Sequence, residues 1–370
     1  MRCLTPLSET LPGDPSVRPL DAHLALVTTP DPVPAPGQVV IRVLAAGVNR
    51  ADLAQARGRY APPVGAPVSL GLECSGVVAA VGEGVTRWHE GDAVCALVPG
   101  GACADLCVTQ EGQCLPLPLP SLDPAADPRF HPGFSPLTDE DLLESRLTRD
   151  LAPHVLAATV VEAAATAWHT LVDVAGLSAD PQENTGRVVL IQGGTGSVGS
   201  IAIQVARALG CRVLATAGSP ERAVACVRLG ADAAVDRHDE LAPFIATHTE
   251  GRGVDMVLDV SGAGALAQNV NALAPGGILV VIGLLGGHGA ELDLARVLLR
   301  GLTIRGTTLR SLPARQRARL CEDLETHVWP LVRRGLVRPV LAEVGAMEEA
   351  AAVHSSMRSG TRVGARVLLP

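Results

Sequence analysis

Six residues, Gly194-Thr195-Gly196-Ser197-Val198-Gly199, constrain this chain more than any others, because of what flanks them. An apolar run at 188–192 leads in, and an amphipathic helical pattern at 198–209 leads out. A G-x-G-x-x-G spacing alone is a weak signal. Between a strand and a helix it is a strong one. Glycines let the backbone turn tightly, and the helix start presents free N–H groups and a partial positive charge to a pyrophosphate. Beyond the motif, strands are predicted at 212–215, 233–236, 255–260 and 277–282, with a helix at 222–229. A βαβ series of this kind predicts an α/β fold, a doubly wound parallel sheet of the Rossmann dinucleotide-binding type.

The end of the second strand bears on the coenzyme. NAD sites place an acid about 20 residues past the glycines, where it binds the ribose 2′-hydroxyl. The corresponding stretch, Thr216-Ala217-Gly218-Ser219-Pro220, has no carboxylate, and Glu221 falls where the next helix begins. Gly218 leaves room, Ser219 can donate a hydrogen bond, and Arg222 and Arg237 can pair with a 2′-phosphate. NADPH is the expected cofactor, held by Gly194, Gly196, Ser197, Val198, Gly199, Gly218, Ser219, Arg222 and Arg237.

The amino-terminal part reads differently. Residues 39–108 are short β runs separated by turns such as Gly82-Glu83-Gly84 and Pro99-Gly100-Gly101, a compact β domain. A stretch at 115–136 with seven prolines, Phe130 and Phe134 reads as a surface insertion or long loop. A long helix from Ala314 to about Arg334 and a β–α–β ending at 365–369 are expected to return to the first domain. The expected division is 1–157 (with the insertion at about 117–150), 158–312 and 313–370.

Composition narrows the function classes. With one Tyr, three Trp and three Phe among 47% apolar residues, the core must be Val, Leu, Ile and Ala, as in buried parallel sheets. The net charge of −8, with no basic run, argues against nucleic acid and anionic membrane as partners. The apolar run at 278–285 is far too short to span a bilayer. Residues 1–16 lack the apolar core of a signal peptide. Nine scattered Cys without a C-x-x-C pair suit free thiols in a reducing cytoplasm.

Several segments together carry a resemblance: Ala46-Gly47-Val48-Asn49-Arg50-Ala51-Asp52, Gly71-Leu72-Glu73-Cys74-Ser75-Gly76, the glycine loop, and Leu309-Arg310-Ser311. The chain resembles the zinc-independent quinone oxidoreductases of the medium-chain dehydrogenase/reductase superfamily. The resemblance implies a GroES-like β domain ahead of the Rossmann domain. It also implies no catalytic zinc: zinc branches carry a Cys where Asn49 stands and a His where Leu72 stands, and Glu73 alone cannot hold the metal. Cys95, Cys103, Cys107 and Cys114 lack the spacing of a structural zinc lobe.

By the same resemblance, Tyr60 lines the substrate cleft as the catalytic candidate, able to donate a proton to a developing oxyanion. Asn49 and Thr166 face the nicotinamide, and Gly283 and Leu284 lie beside its ribose. Relatives carry a Ser at the position of Gly196. His169 reads as a packed helical residue. The implied activity is NADPH-dependent hydride transfer to a quinone or related conjugated carbonyl. The alternatives are an enoyl or enone reductase and a non-catalytic, NADPH-binding crystallin-like protein. A homodimer through an edge strand at 302–307 is also implied.

Overall fold

The computed structural model describes residues 1–10, 13–118, 152–360 and 362–370. Nearly all of the Pro-rich stretch, with Phe130 and Phe134, lies outside the described residues.

The first part of the chain is β-rich. Strands β1 (Arg2–Pro6), β2 (Val17–Pro19) and β3 (Leu24–Thr28) form a small antiparallel sheet in the order β1-β3-β2. β4 (Gln38–Val48), β5 (Glu73–Val81), β6 (Ala93–Leu97), β7 (Leu106–Gln110) and β8 (Cys114–Pro116) build a larger one, with β7 paired on β4. Its inner face buries Leu4, Ile41, Val43, Leu70, Cys74 and Val94.

The middle of the chain is the parallel sheet the sequence pattern requires. Strands β9 (Val188–Ile191), β10 (Arg212–Ala217), β11 (Ala233–Asp236), β12 (Val254–Asp259), β13 (Leu273–Val281) and β14 (Thr303–Gly306) run in the order β11-β10-β9-β12-β13-β14. The order reverses between β9 and β12, and ligands of doubly wound sheets bind at the carboxyl ends of the strands at such a switch point. All four residues of β9 are buried, as a central strand covered on both faces must be. β14, at the sheet's edge, is exposed along its whole length.

β15 (Leu341–Ala346) and β16 (Ala365–Leu369) leave this sheet and complete the first one. β16 lies antiparallel to β4, with Arg366 opposite Val48. Helical turns at Ala314–Asp323, Leu324–Val328 and Trp329–Arg333 pack between the two halves. Trp329 is fully buried there, and its indole N–H donates to the Pro116 carbonyl at 2.7 Å. The helical stretch Ala152–Val174 is long and apolar enough to cross a membrane by length and composition, which the sequence reading overlooked, but most of it is buried inside the protein.

Candidate active site

The glycine loop joins β9 to the helix Ser197–Ala208, and its glycines do different work. A Cβ at Gly199 would fall 2.3 Å from the Gly193 carbonyl oxygen, so helix and loop touch where only glycine fits. Gly194 is closed in by Cys226, Ile203 and Ala215. Gly196 is the helix N-cap and is exposed; its nearest neighbour to an added Cβ is 3.4 Å away, so a small side chain fits. Val198 packs half-buried on the core. The Ser197 hydroxyl is buried without a hydrogen-bond partner.

At the end of β10, Ser219 caps the helix Pro220–Arg228, its hydroxyl oxygen accepting the Arg222 N–H at 3.4 Å. A hydrogen bond from the same hydroxyl is the first cause that holds the Glu221 carboxylate below its ordinary range. The serine expected to serve a phosphate therefore already serves a helix start and an acid. Arg222 turns back toward the glycine loop. Its guanidinium donates to the Thr195 hydroxyl and the Gly360 carbonyl, while Nε is buried and unpartnered. The side chain passes Gly218, where a Cβ would meet Nη1 at 3.1 Å. Arg237 is exposed. Its backbone N–H bonds the Ala217 carbonyl at 2.8 Å, placing it beside Gly218.

Two further arginines converge here that the sequence reading did not assign. Arg50 opens the helix Arg50–Ala56, and Arg366 lies on β16. Burial first, then the nearby positive charge of Arg222, lowers the Arg50 pKa, although much of that side chain remains open to solvent. Arg366 is lowered chiefly by burial and further by Arg50, Arg362 and Arg222, with Glu343 opposing. Guanidinium groups that repel one another favour an anion placed among them, although Arg366 also holds Glu343 at 3.5 Å. With the orphaned Ser197 hydroxyl, the orphaned Arg222 Nε and the glycine cradle, the residues fit the phosphates of a dinucleotide.

Carboxylates occupy the junction between the two halves. Asn49 is buried, and its Nδ2 donates to Glu73 Oε1 at 2.9 Å. Glu73 Oε2 accepts the backbone N–H of Glu162 at 2.9 Å. Thr166 donates its hydroxyl back one turn to Glu162 Oε1 at 3.0 Å. Asn49 and Thr166 thus share one network, each turned toward an acid. Burial, with the Glu162 charge second, pushes the Glu73 carboxyl up to about 8. Burial likewise raises Glu162 to about 7, against the Thr166 hydrogen bond, though the residue keeps some exposure. Asp52 accepts the Asn49 and Gly71 backbone N–H groups, each at 2.8 Å, and burial raises it to about 6. Among the described residues no three His, Cys, Asp or Glu side chains are grouped to hold a metal ion.

Tyr60 comes from the β-rich half and meets the parallel-sheet half. Its hydroxyl lies 3.1 Å from the Thr308 hydroxyl, and the Arg310 guanidinium lies 5.3 Å from its ring centroid. Buried Arg310 crosses the same junction, donating to the Pro99 carbonyl and to Gln55 Oε1, both at 2.7 Å. Gly283 packs on Val260 at the carboxyl end of β13, and Leu284 beside it is exposed. His169, expected as a packed helical residue, has polar partners on both ring nitrogens: Asp173 at 2.8 Å and Thr307 at 2.9 Å.

Two family models match this arrangement: the alcohol dehydrogenase GroES-like domain over residues 35–121 and the zinc-binding dehydrogenase domain over 197–325. The chain belongs to the medium-chain dehydrogenase/reductase superfamily. It is an oxidoreductase of that superfamily. The chain is 37% identical over 255 residues to phthioceranic/hydroxyphthioceranic acid synthase of Mycobacterium tuberculosis strain H37Rv, covering 68% of this chain and 10% of that protein. It is 35% identical over 252 residues to a mycocerosic acid synthase-like polyketide synthase of the same strain, again 68% and 10%. The chain therefore spans about a tenth of the length of the curated relatives it matches.

Among solved structures, an alcohol dehydrogenase superfamily protein from Novosphingobium aromaticivorans superposes with a TM-score of 0.74 at 28% identity, covering 93% of this chain and 95% of that one. Escherichia coli quinone oxidoreductase complexed with NADPH gives 0.75 at 22% identity, covering 94% and 96%. The JamJ enoyl reductase gives 0.76 at 20%, covering 100% and 98%.

Proposed function

We propose that this superfamily member is an NADPH-dependent reductase of conjugated carbonyl acceptors, quinones first, working without zinc. The observation that carries the reading is the Tyr60–Thr308 hydroxyl pair, set across the junction of the two halves beside the carboxyl ends of the parallel strands. When bound, the reduced nicotinamide supplies a hydride. Ser197, Arg222, Arg50 and Arg366 would hold the phosphates, and Arg237, beside Gly218, would pair with the 2′-phosphate. Asn49, fixed by Glu73, and Thr166, fixed by Glu162, orient the nicotinamide side of the cleft. The Tyr60 hydroxyl donates a hydrogen bond to the acceptor oxygen as charge develops on it. The quinone oxidoreductase with NADPH among the superposed structures supports the coenzyme.

One observation favours a second acceptor, an enoyl thioester. The curated relatives include a polyketide synthase, and an enoyl reductase shares the fold. In both cases electrons enter a C=C–C=O system, so the same donor serves. A second copy of the chain docking on β14 is part of the proposal. It is supported by that strand's exposed edge and by exposed Leu294, Leu298 and Leu299 on the adjacent helix.

The test is a titration with NADPH and NADH followed by turnover of 1,2-naphthoquinone, a simple enone and crotonyl-CoA. NADPH is expected to bind at least ten-fold tighter than NADH, and Tyr60→Phe to lower turnover by one to two orders of magnitude with NADPH affinity kept. Tighter binding of NADH, in keeping with the Glu221–Ser219 contact, overturns the coenzyme. Cofactor binding with no acceptor reduced overturns the enzyme.

A further inference from the structure

Among the described residues the Tyr60 hydroxyl meets the Thr308 hydroxyl, which in turn lies 3.2 Å from Ser311, so no titratable side chain is joined to it. One residue before Thr308 a different chain of groups begins. The Thr307 hydroxyl is 2.9 Å from His169 Nε2, and His169 Nδ1 is 2.8 Å from Asp173 Oδ2. The Thr307 backbone N–H bonds the Val281 carbonyl at 3.1 Å, which sets it at the carboxyl end of β13, two residues before Gly283. Thr166 lies three residues before His169 in the same helical stretch. Thr307 is therefore next to the cleft. At the other end, the His169 side chain is 14% exposed and Asp173 is 38% exposed, so the chain of groups opens to solvent.

The local backbone departs from a regular α-helix at this place. Residues His169–Val174 form a π-helical turn, a form that is rare and concentrated at functional sites. It begins with the residue whose ring reaches Thr307 and contains the carboxylate that holds the ring.

Resting on the reductase reading above, we propose that Asp173, His169 and Thr307 form the proton supply of the cleft. Asp173 accepts the Nδ1–H of the imidazolium and fixes its orientation. Nε2–H donates to the Thr307 hydroxyl oxygen, which leaves the Thr307 O–H to donate into the cleft. Once the acceptor has taken up a hydride from the reduced coenzyme, its oxygen carries a negative charge. The Thr307 proton moves to that oxygen and the Nε2 proton moves to Thr307. Neutral His169 keeps Nδ1–H on Asp173 and regains its second proton from solvent. The balance is one hydride from the coenzyme and one proton from water. Other titratable or charged groups around the pair are Asp323, near Asp173, with Arg319, Glu322 and His327 beside it, and His327 stacks on Trp168 at 4.9 Å.

The experiment uses the full chain as wild type, His169→Gln, Asp173→Asn and Thr307→Val, with NADPH and the best acceptor of the panel. NADPH affinity, read by fluorescence, is expected to stay within two-fold in all four. Single-turnover reduction is expected to fall about 100-fold in His169→Gln, within the range of a positioned general acid. The dependence of the rate on pH should differ between the wild type and that variant. Nitrogen-15 NMR of labelled histidine supplies a readout independent of turnover: His169 should hold its proton on Nδ1 when neutral, and Asp173→Asn should shift it toward Nε2. A rate and pH profile unchanged in His169→Gln overturns the proposal, as does a neutral ring protonated on Nε2 in the wild type. Failure of all forms to bind NADPH or reduce any acceptor overturns the reductase reading instead, and the NMR titration still decides the His169–Asp173 pair.

Discussion

Glu73 offers a measurement that isolates one buried carboxyl. The residue is 1% exposed, and burial, assisted by Glu162, raises its pKa from 4.5 to about 8. A carboxyl raised on folding favours the native state only while it is protonated. Below pH 4.5 both states hold the proton and nothing is lost. Between 4.5 and 8 the unfolded chain releases its proton while the native state keeps it, so stability drains away as pH rises and levels off above about 8. At ~1.4 kcal/mol per pH unit, the loss from pH 6 to pH 9 is about 3 kcal/mol. Spread over the unfolding entropy of a chain this long, that is ~4 °C in Tm. Glu73→Gln keeps the shape and an acceptor for the Glu162 N–H and removes the titration. Thermal unfolding of both forms in buffers of equal ionic strength is expected to show Tm of the variant, relative to wild type, climbing by ~4 °C across that window. A flat difference between the two curves refutes the reasoning, since it would mean that the native carboxyl is already ionised at pH 6.

The other expectations concern the glycine loop and the sheet edge. Gly199→Ala forces a methyl against the Gly193 carbonyl and should lower stability by ~1–3 kcal/mol and abolish NADPH binding, whereas Gly196→Ser should leave Tm within ~1 °C. Unfolding scans and fluorescence titration of the two variants check this, and equal damage in both would sink the distinction. Leu298→Glu with Leu299→Glu should convert a dimer to a monomer in sedimentation while reductase turnover persists. A wild-type monomer at micromolar concentration removes the proposed interface.

Local patterning made the parallel sheet legible. Runs such as Val188–Ile191 and Ala233–Asp236, set between glycine turns, define strands without knowledge of their neighbours. The glycine loop was equally plain, because strand, turn and helix start are contiguous in the chain. What stayed hidden depends on contacts between distant segments. Arg50 and Arg366 join Arg222 only because β4 and β16 bring them to the cofactor side. Arg310 sat in a segment noted for its resemblance, but its hold on Gln55 and Pro99 spans the domain junction. His169 was passed over because no spacing rule links it to Thr307. A sequence signal for it existed in Asp173, four residues on, a helical i,i+4 pair. Ser219 has a second duty with a local cause: a Ser before Pro-Glu also caps the helix that follows.

The pairing of β16 with β4 sets a timetable for biogenesis. Val48 must wait for Arg366, a separation of roughly 320 residues, or ~15–60 s of synthesis at ordinary elongation rates. Every strand of the parallel sheet leaves the ribosome during that interval, so that sheet can close while the outer flank of β4 still lacks its neighbour. A nascent chain stalled before residue 365 would hold a closed parallel sheet, still lacking Arg366, tethered to an open, adhesive one.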